Sequence, residues 1–113
     1  MKKQLAEISM RIILEAGDAR LHCKEALDAI AEFNFEMAEV KIKLALEKIK
    51  EAHKLQTDAI QGEARGENLE HSLLFTHAQD TLMSIYSEIH MTKKMIKIFT
   101  KLSIRLDAIE GGR

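Results

Sequence analysis

His77 and Asp80 are the residues of this chain best placed to do chemistry. Between His71 and Ser87 the only formal charge, with His counted as neutral, is Asp80. His77 lies three residues before it, and residues three apart in a helix share a face. The same spacing extends to Leu73, His77, Asp80, Ser84, Ser87 and Met91. A carboxylate on a face that avoids charge has two readings. It sits at a wet edge of the bundle with water as its partner, or it is compensated by a proton, a cation or a metal. Lys and Arg are absent within one helical turn of it. Copies of Asp80 meeting on a symmetry axis would repel, and a hard divalent ion such as Mg²⁺ suits oxygen ligands. His77 likewise has two readings. One is a buried imidazole donating to a nearby oxygen. The other is a nucleophile or phosphoryl carrier, because a neutral imidazole nitrogen attacks well at pH 7. A carrier needs exposure on one side and donors such as Gln79 for the phosphoryl oxygens.

These residues must be held by helices. The chain has 113 residues, which fits one domain. It has no Pro, and Pro would break a helix interior. Apolar residues make up 46% and charged residues 31%, a globular balance rather than a disordered one. A single Cys, Cys23, excludes an internal disulfide and reads as inert packing. The net charge of −1 and 4% aromatic content argue against nucleic acid as a partner. Six basic residues against Asp107 and Glu110 between Met91 and Arg113 suit a solvated helix end or an acidic partner. The N-terminal residues carry no signal-peptide core, and no stretch resembles a membrane span. The expected setting is the cytoplasm, without direct membrane insertion.

Periodicity predicts three helices, at about residues 3–31, 35–61 and 69–108, in an antiparallel all-α bundle. In the first, Ile8, Ile12, Ala16, Ala19, Cys23, Ala26 and Ile30 recur at spacings of three and four. Gly17 interrupts it and suggests close approach of a neighbouring backbone. Glu32-Phe33-Asn34 breaks the chain, with Asn34 as the next N-cap. The second stripe reads Ile42, Leu46, Ile49, His53, Gln56, Ile60, which places a His53–Gln56 polar bridge inside the bundle. Residues 62–68, with two Gly and dense charge, read as the second loop. The third stripe is Phe75, Ala78, Leu82, Ile85, Ile89, Thr92, Ile96, Phe99, Ser103 and Leu106. It lies about 100° around the helix from the His77–Asp80 stripe. One face suits packing within the chain, and the other is free for another subunit. His22 and His90 read as isolated and exposed, His71 as solvated, and residues 109–113 as a frayed tail.

The segment Ser72-Leu-Leu-Phe-Thr-His77-Ala-Gln-Asp80-Thr-Leu-Met83 resembles the active-site segment of the lactose/cellobiose-type enzyme IIA of the bacterial phosphoenolpyruvate-dependent sugar phosphotransferase system. Ala16-Gly-Asp-Ala-Arg20, Glu51-Ala-His53-Lys-Leu-Gln56-Thr57 and Ile60-Gln-Gly-Glu-Ala-Arg-Gly66-Glu67 agree with the same family and follow its order. The resemblance covers about residues 5 to 100. It implies a three-helix subunit in a homotrimeric nine-helix bundle. It implies that His77 accepts a phosphoryl group from HPr and passes it to a Cys of enzyme IIB, for a sugar of the lactose, cellobiose or chitobiose class entering through enzyme IIC. It implies a divalent metal, Mg²⁺ or a similar ion, held by three copies of Asp80 on the threefold axis. Gln79 matches the family residue beside the phosphorylated His. Thr81 departs from the family pattern His-Ala-Gln-Asp-His-Leu-Met and joins Gln79, His53 and Gln56 as a supporting residue. His71 and Leu74 would border the partner surface. Two other readings compete: a structural or regulatory helical trimer without phosphotransfer, and a metal-binding helical bundle.

Overall fold

The computed structural model describes residues 2–64 and 72–111. Three helices fill them: α1 (Lys2–Ala31), α2 (Phe35–Ala64) and α3 (Leu73–Gly111). The order and number match the periodicity. Two bounds move outward, and the start of α3 moves inward, from about 69 to Leu73. α2 continues to Ala64, so Gly62 is a buried helical residue rather than the start of the loop. α3 continues to Gly111, beyond the expected end at residue 108. The rest of the expected second loop and His71 lie outside the described residues, as do Gly112 and Arg113.

Alanines set the packing of α1 on α2. Ala16, Ala19, Ala26 and Ala29 of α1 are buried, as are Ala38, Ala45, Ala52 and Ala59 of α2. Small side chains let two backbones approach closely, and Ile12, Ile30, Ile42 and Ile49 fill the space between. α3 lays Phe75, Ala78, Leu82, Ile85, Ile89, Thr92 and Ile96 against this pair. Ion pairs on the rim fix the directions. Lys41 Nζ lies 3.4 Å from Glu25, and Lys48 Nζ lies 3.6 Å from Glu15, so α1 and α2 are antiparallel. The Arg20 guanidinium reaches both oxygens of Glu88, with Nε at 3.1 Å, and Cys23 meets Thr92, so α3 runs parallel to α1.

The turn between α1 and α2 has a defined chemistry. The Phe33 N–H donates to the Ile30 carbonyl and the Asn34 N–H to the Ala29 carbonyl, both at 2.9 Å. This is the paired-bond ending that usually places Gly in the left-handed region. Here Phe33 occupies it, with φ of 56°. Its ring packs on Phe35 at a centroid distance of 5.6 Å. Asn34 then caps α2 as expected, its Oδ1 accepting the Met37 N–H at 3.1 Å.

Three expectations fail here. Gly17 is exposed and a Cβ at that position would meet nothing within 4 Å, so no close backbone explains it. His22 is half-buried and paired, with Nδ1 at 2.9 Å from Glu25 Oε1, rather than isolated. That hydrogen bond, supported by Lys41, holds the Glu25 carboxyl below its usual range. The α2 stripe is Ala38, Ile42, Ala45, Ile49, Ala52 and Ala59, which leaves His53 exposed and Gln56 half-buried. No His53–Gln56 bridge forms inside the bundle; His53 Nδ1 instead lies 3.5 Å from the Thr57 hydroxyl on the surface of α2.

Gly17 generates a direct test. Replacing a helix-interior Gly by Ala removes a penalty of about 1 kcal/mol when the new methyl has room. Gly17→Ala is expected to raise unfolding stability by up to that amount in urea titration. A loss of stability would contradict the open space around it.

Candidate functional site

Ser72 starts α3. Its Oγ accepts the Phe75 N–H at 3.1 Å, and its carbonyl accepts the Thr76 N–H at 3.1 Å and the Thr76 hydroxyl at 3.0 Å. This N-cap was readable as a Ser immediately ahead of an apolar run. It fixes the first turn, so His77, five residues into the helix, stands on rigid backbone.

Helical phase then decides what His77 can meet. Ala78 and Leu82 are fully buried against α1 and α2. His77, Asp80 and Ser84 are exposed on the opposite side. The buried-imidazole reading of His77 therefore fails, and the exposure a carrier needs is present. Asp80 at i+3 and half-buried Thr81 at i+4 are its neighbours on the helix surface. The face extends over Leu73, His77, Asp80, Ser84, Ser87 and Met91, all exposed, with Leu73 at 79% and Met91 at 62%. Of these six residues only Asp80 is formally charged, while Glu88, in phase with His77 eleven residues further on, is paired with Arg20.

Gln79 does not face His77 in the same chain. Two residues of helix turn by about 200°, so its half-buried side chain leaves from the far side. His53 and Gln56 are also remote from His77. His53 shares a shallow cleft of about 240 Å³ with Ile49, Lys50, Lys54 and Tyr86. Tyr86 is nine residues along α3 from His77, roughly 14 Å. Within one chain, His77, Asp80 and Thr81 come together, while Gln79, His53 and Gln56 do not. Leu74 is half-buried beside Ser72. His90 is exposed and packs edge-on against Tyr86, at a centroid distance of 4.4 Å.

Among the described residues, no three His, Cys, Asp or Glu side chains of one chain gather into a group able to hold a metal. Asp80 therefore brings a single carboxylate. Among the described residues a metal bundle within one subunit lacks a donor set, and an ion held at Asp80 by these residues would require other copies. Cys23 is buried. The Thr92 hydroxyl donates to the Glu88 carbonyl at 2.8 Å, so the Cys23 thiol donates to Thr92 Oγ1, at 3.1 Å. Burial pushes the thiol above its ordinary value. Among the described residues, no helix is long and apolar enough to cross a membrane.

The three-helix chain, with His77 and His90 exposed on its capped third helix, is similar in fold to phosphotransferase IIA components. The crystal structure of the cellobiose-specific enzyme IIA from Bacillus anthracis superimposes with a TM-score of 0.82 and 38% identity, covering 87% of this chain and 90% of that one. The structure of PtcA from S. mutans gives a TM-score of 0.87 with 32% identity, over 88% and 98% of the two chains. The lichenan-specific phosphotransferase enzyme IIA component of Bacillus subtilis (strain 168) is 36% identical over 103 residues, 91% of this chain and 94% of the relative. Residues 7–100 match the family of lactose/cellobiose-specific IIA subunits of the phosphotransferase system. The chain belongs to that family and is therefore a component of a sugar phosphotransferase system.

The thiol environment gives a prediction. A buried, protonated Cys23 is expected to react with a disulfide reagent at least about tenfold more slowly in the native chain than in the denatured chain. Equal rates would contradict the burial.

Proposed function

We propose that this protein is the phosphoryl carrier between HPr and enzyme IIB, with His77 as the acceptor. The observation that supports this most is the exposure of His77 on a rigid, charge-poor helix face in a chain of the IIA family. A neutral imidazole nitrogen attacks the phosphorus of phospho-HPr. The bond from phosphorus to HPr breaks, and HPr keeps the electron pair. A thiolate of enzyme IIB then attacks the phosphorus held on His77. That P–N bond breaks, and the imidazole returns to its starting form. The group passes on to a sugar entering through enzyme IIC. Such work belongs in the cytoplasm, where HPr and enzyme IIB reach the same face in turn. Both contacts need be only modest, at the small end of interface areas.

Three copies sharing their α3 faces form the proposed assembly, a homotrimeric nine-helix bundle. Leu73 and Met91 are large apolar side chains left uncovered on that face in one chain. Three Asp80 carboxylates approaching an axis would repel unless a cation joins them. The donor set, oxygen only and anionic, fits Mg²⁺ or a similar hard ion. In that arrangement Asp80 holds the ion, and the ion neutralises the three carboxylates. Gln79, turned away from His77 of its own chain, and Thr81, beside it, are the supporting residues proposed for the site. His53 and Gln56, remote from His77, are left to the α2 surface.

Incubation with phosphoenolpyruvate, enzyme I and HPr is expected to add one phosphoryl group, read by intact mass, and His77→Ala is expected to add none. An unmodified wild-type chain, or a modified variant, would overturn the proposal. A chelator is expected to loosen the wild-type trimer, and Asp80→Asn to reduce its dependence on divalent metal. A trimer indifferent to both would remove the axial ion and leave the phosphorylation reading standing.

A further inference from the structure

We propose that the shallow cleft between α2 and α3, walled by Lys50, His53, Lys54 and Tyr86, is a binding site for a sugar phosphate. The inference rests on the chain's place in a sugar phosphotransferase system and not on the role of His77. The floor of the cleft is the buried side chain of Ile49, and its volume is about 240 Å³. Tyr86 lies nine residues beyond His77 on α3, a rotation of about 180°, so the cleft opens on the opposite side of the helix. A ligand held there leaves His77 of the same chain uncovered.

Charge selects an anion. His53 and Lys54 follow Lys50 by three and four residues, so the three side chains share one face of α2. Two lysines one turn apart repel each other. Lys41 and Lys48, on the side of α2 that meets α1, are paired with Glu25 and Glu15. Among the described residues neither Lys50 nor Lys54 has such a partner, although Glu47 and Glu51 each precede one of them by three residues. The lining of the cleft holds no carboxylate. A phosphoryl group between the two ammonium groups would relieve their repulsion through charge-assisted hydrogen bonds. His53 Nδ1 lies 3.5 Å from the Thr57 hydroxyl, which leaves Nε2 for a ligand.

The opposite wall suits the body of a sugar. Tyr86 is exposed, and His90 packs edge-on against it at a centroid distance of 4.4 Å, which steadies the ring. A tyrosine offers an apolar face to the C–H groups of a sugar and a hydroxyl at its tip. Pockets for drug-sized ligands span roughly 300–1,000 Å³. A slightly smaller cleft fits a monosaccharide phosphate better than a structured segment of another protein. A sugar phosphotransferase system makes a phosphorylated sugar, so a ligand of this class arises where the chain works.

Tyr86 is the only Tyr of the chain and Trp is absent, so intrinsic fluorescence reports on the cleft. Glucose 6-phosphate added to the full, unphosphorylated chain is expected to change that fluorescence to saturation, with glucose binding at least about tenfold more weakly. Lys50→Gln with Lys54→Gln, its helicity checked by far-UV circular dichroism, is expected to raise the dissociation constant about tenfold or more. No saturable change in the wild-type chain, or a change that sodium chloride of equal ionic strength reproduces, would overturn the proposal. Inorganic phosphate binding as tightly as glucose 6-phosphate would overturn the sugar assignment. A peptide of ten glutamates that binds where glucose 6-phosphate does not would give the cleft to an acidic partner and overturn it as well. Phosphorylation of His77, read separately by intact mass, can fail without touching this result.

Discussion

Everything in this subunit depends on the alanine seam between α1 and α2. With Ala16, Ala19, Ala26, Ala38, Ala45, Ala52 and Ala59 buried, the two helices lie close along most of their length. A close pair offers α3 one long cradle, and α3 fills it with larger side chains such as Phe75, Leu82, Ile85 and Ile89. The width of that cradle sets how much of α3 is covered. Two neighbours cover one side of the helix, and the side bearing His77 and Asp80 stays open. The exposure of His77 therefore follows from small residues on helices to which it does not belong.

The α1 stripe was legible to Ile30 from its spacing, small residues included, and the α3 stripe as far as Ile96, whereas Phe99 and Leu106, read into it, are exposed. The stripe of α2 was misread at its end, since Ala52 and Ala59 carry the core there while His53 and Ile60 beside them are larger and draw the eye. Small core residues are a weak signal, because alanine is common on any helix face. The Asn34 cap was legible from residue type alone. The left-handed Phe33 was not, because Gly is the usual occupant of that position. Gly62 looked like a loop residue and is helical, because burial against a neighbouring helix outweighs its modest propensity penalty.

At the site, the shared face of His77 and Asp80 could be read from a spacing of three. The same arithmetic separates Gln79 from His77, and motif adjacency had hidden it. The pairing of His22 with Glu25 follows the same spacing of three and was missed; only the support from Lys41, which comes from another helix, lay beyond local sequence. Charge is also informative where it is missing. α3 carries its core on one side, and near His77 on the open side Asp80 is a carboxylate without a cation beside it in sequence, whereas Glu88 is paired with Arg20.

Ser72 caps a helix in which His77 is already locked at its Cα. The imidazole keeps two side-chain torsions and little else to order. A visiting protein then meets a surface that needs no folding or loop closure, and the entropy of arranging the site does not weigh against the encounter. Binding energy can stay small without loss of aim. On the proposed function this favours brief visits: donor and acceptor must use the same landing place, each must leave before the other arrives, and the pace of relay is set by departure.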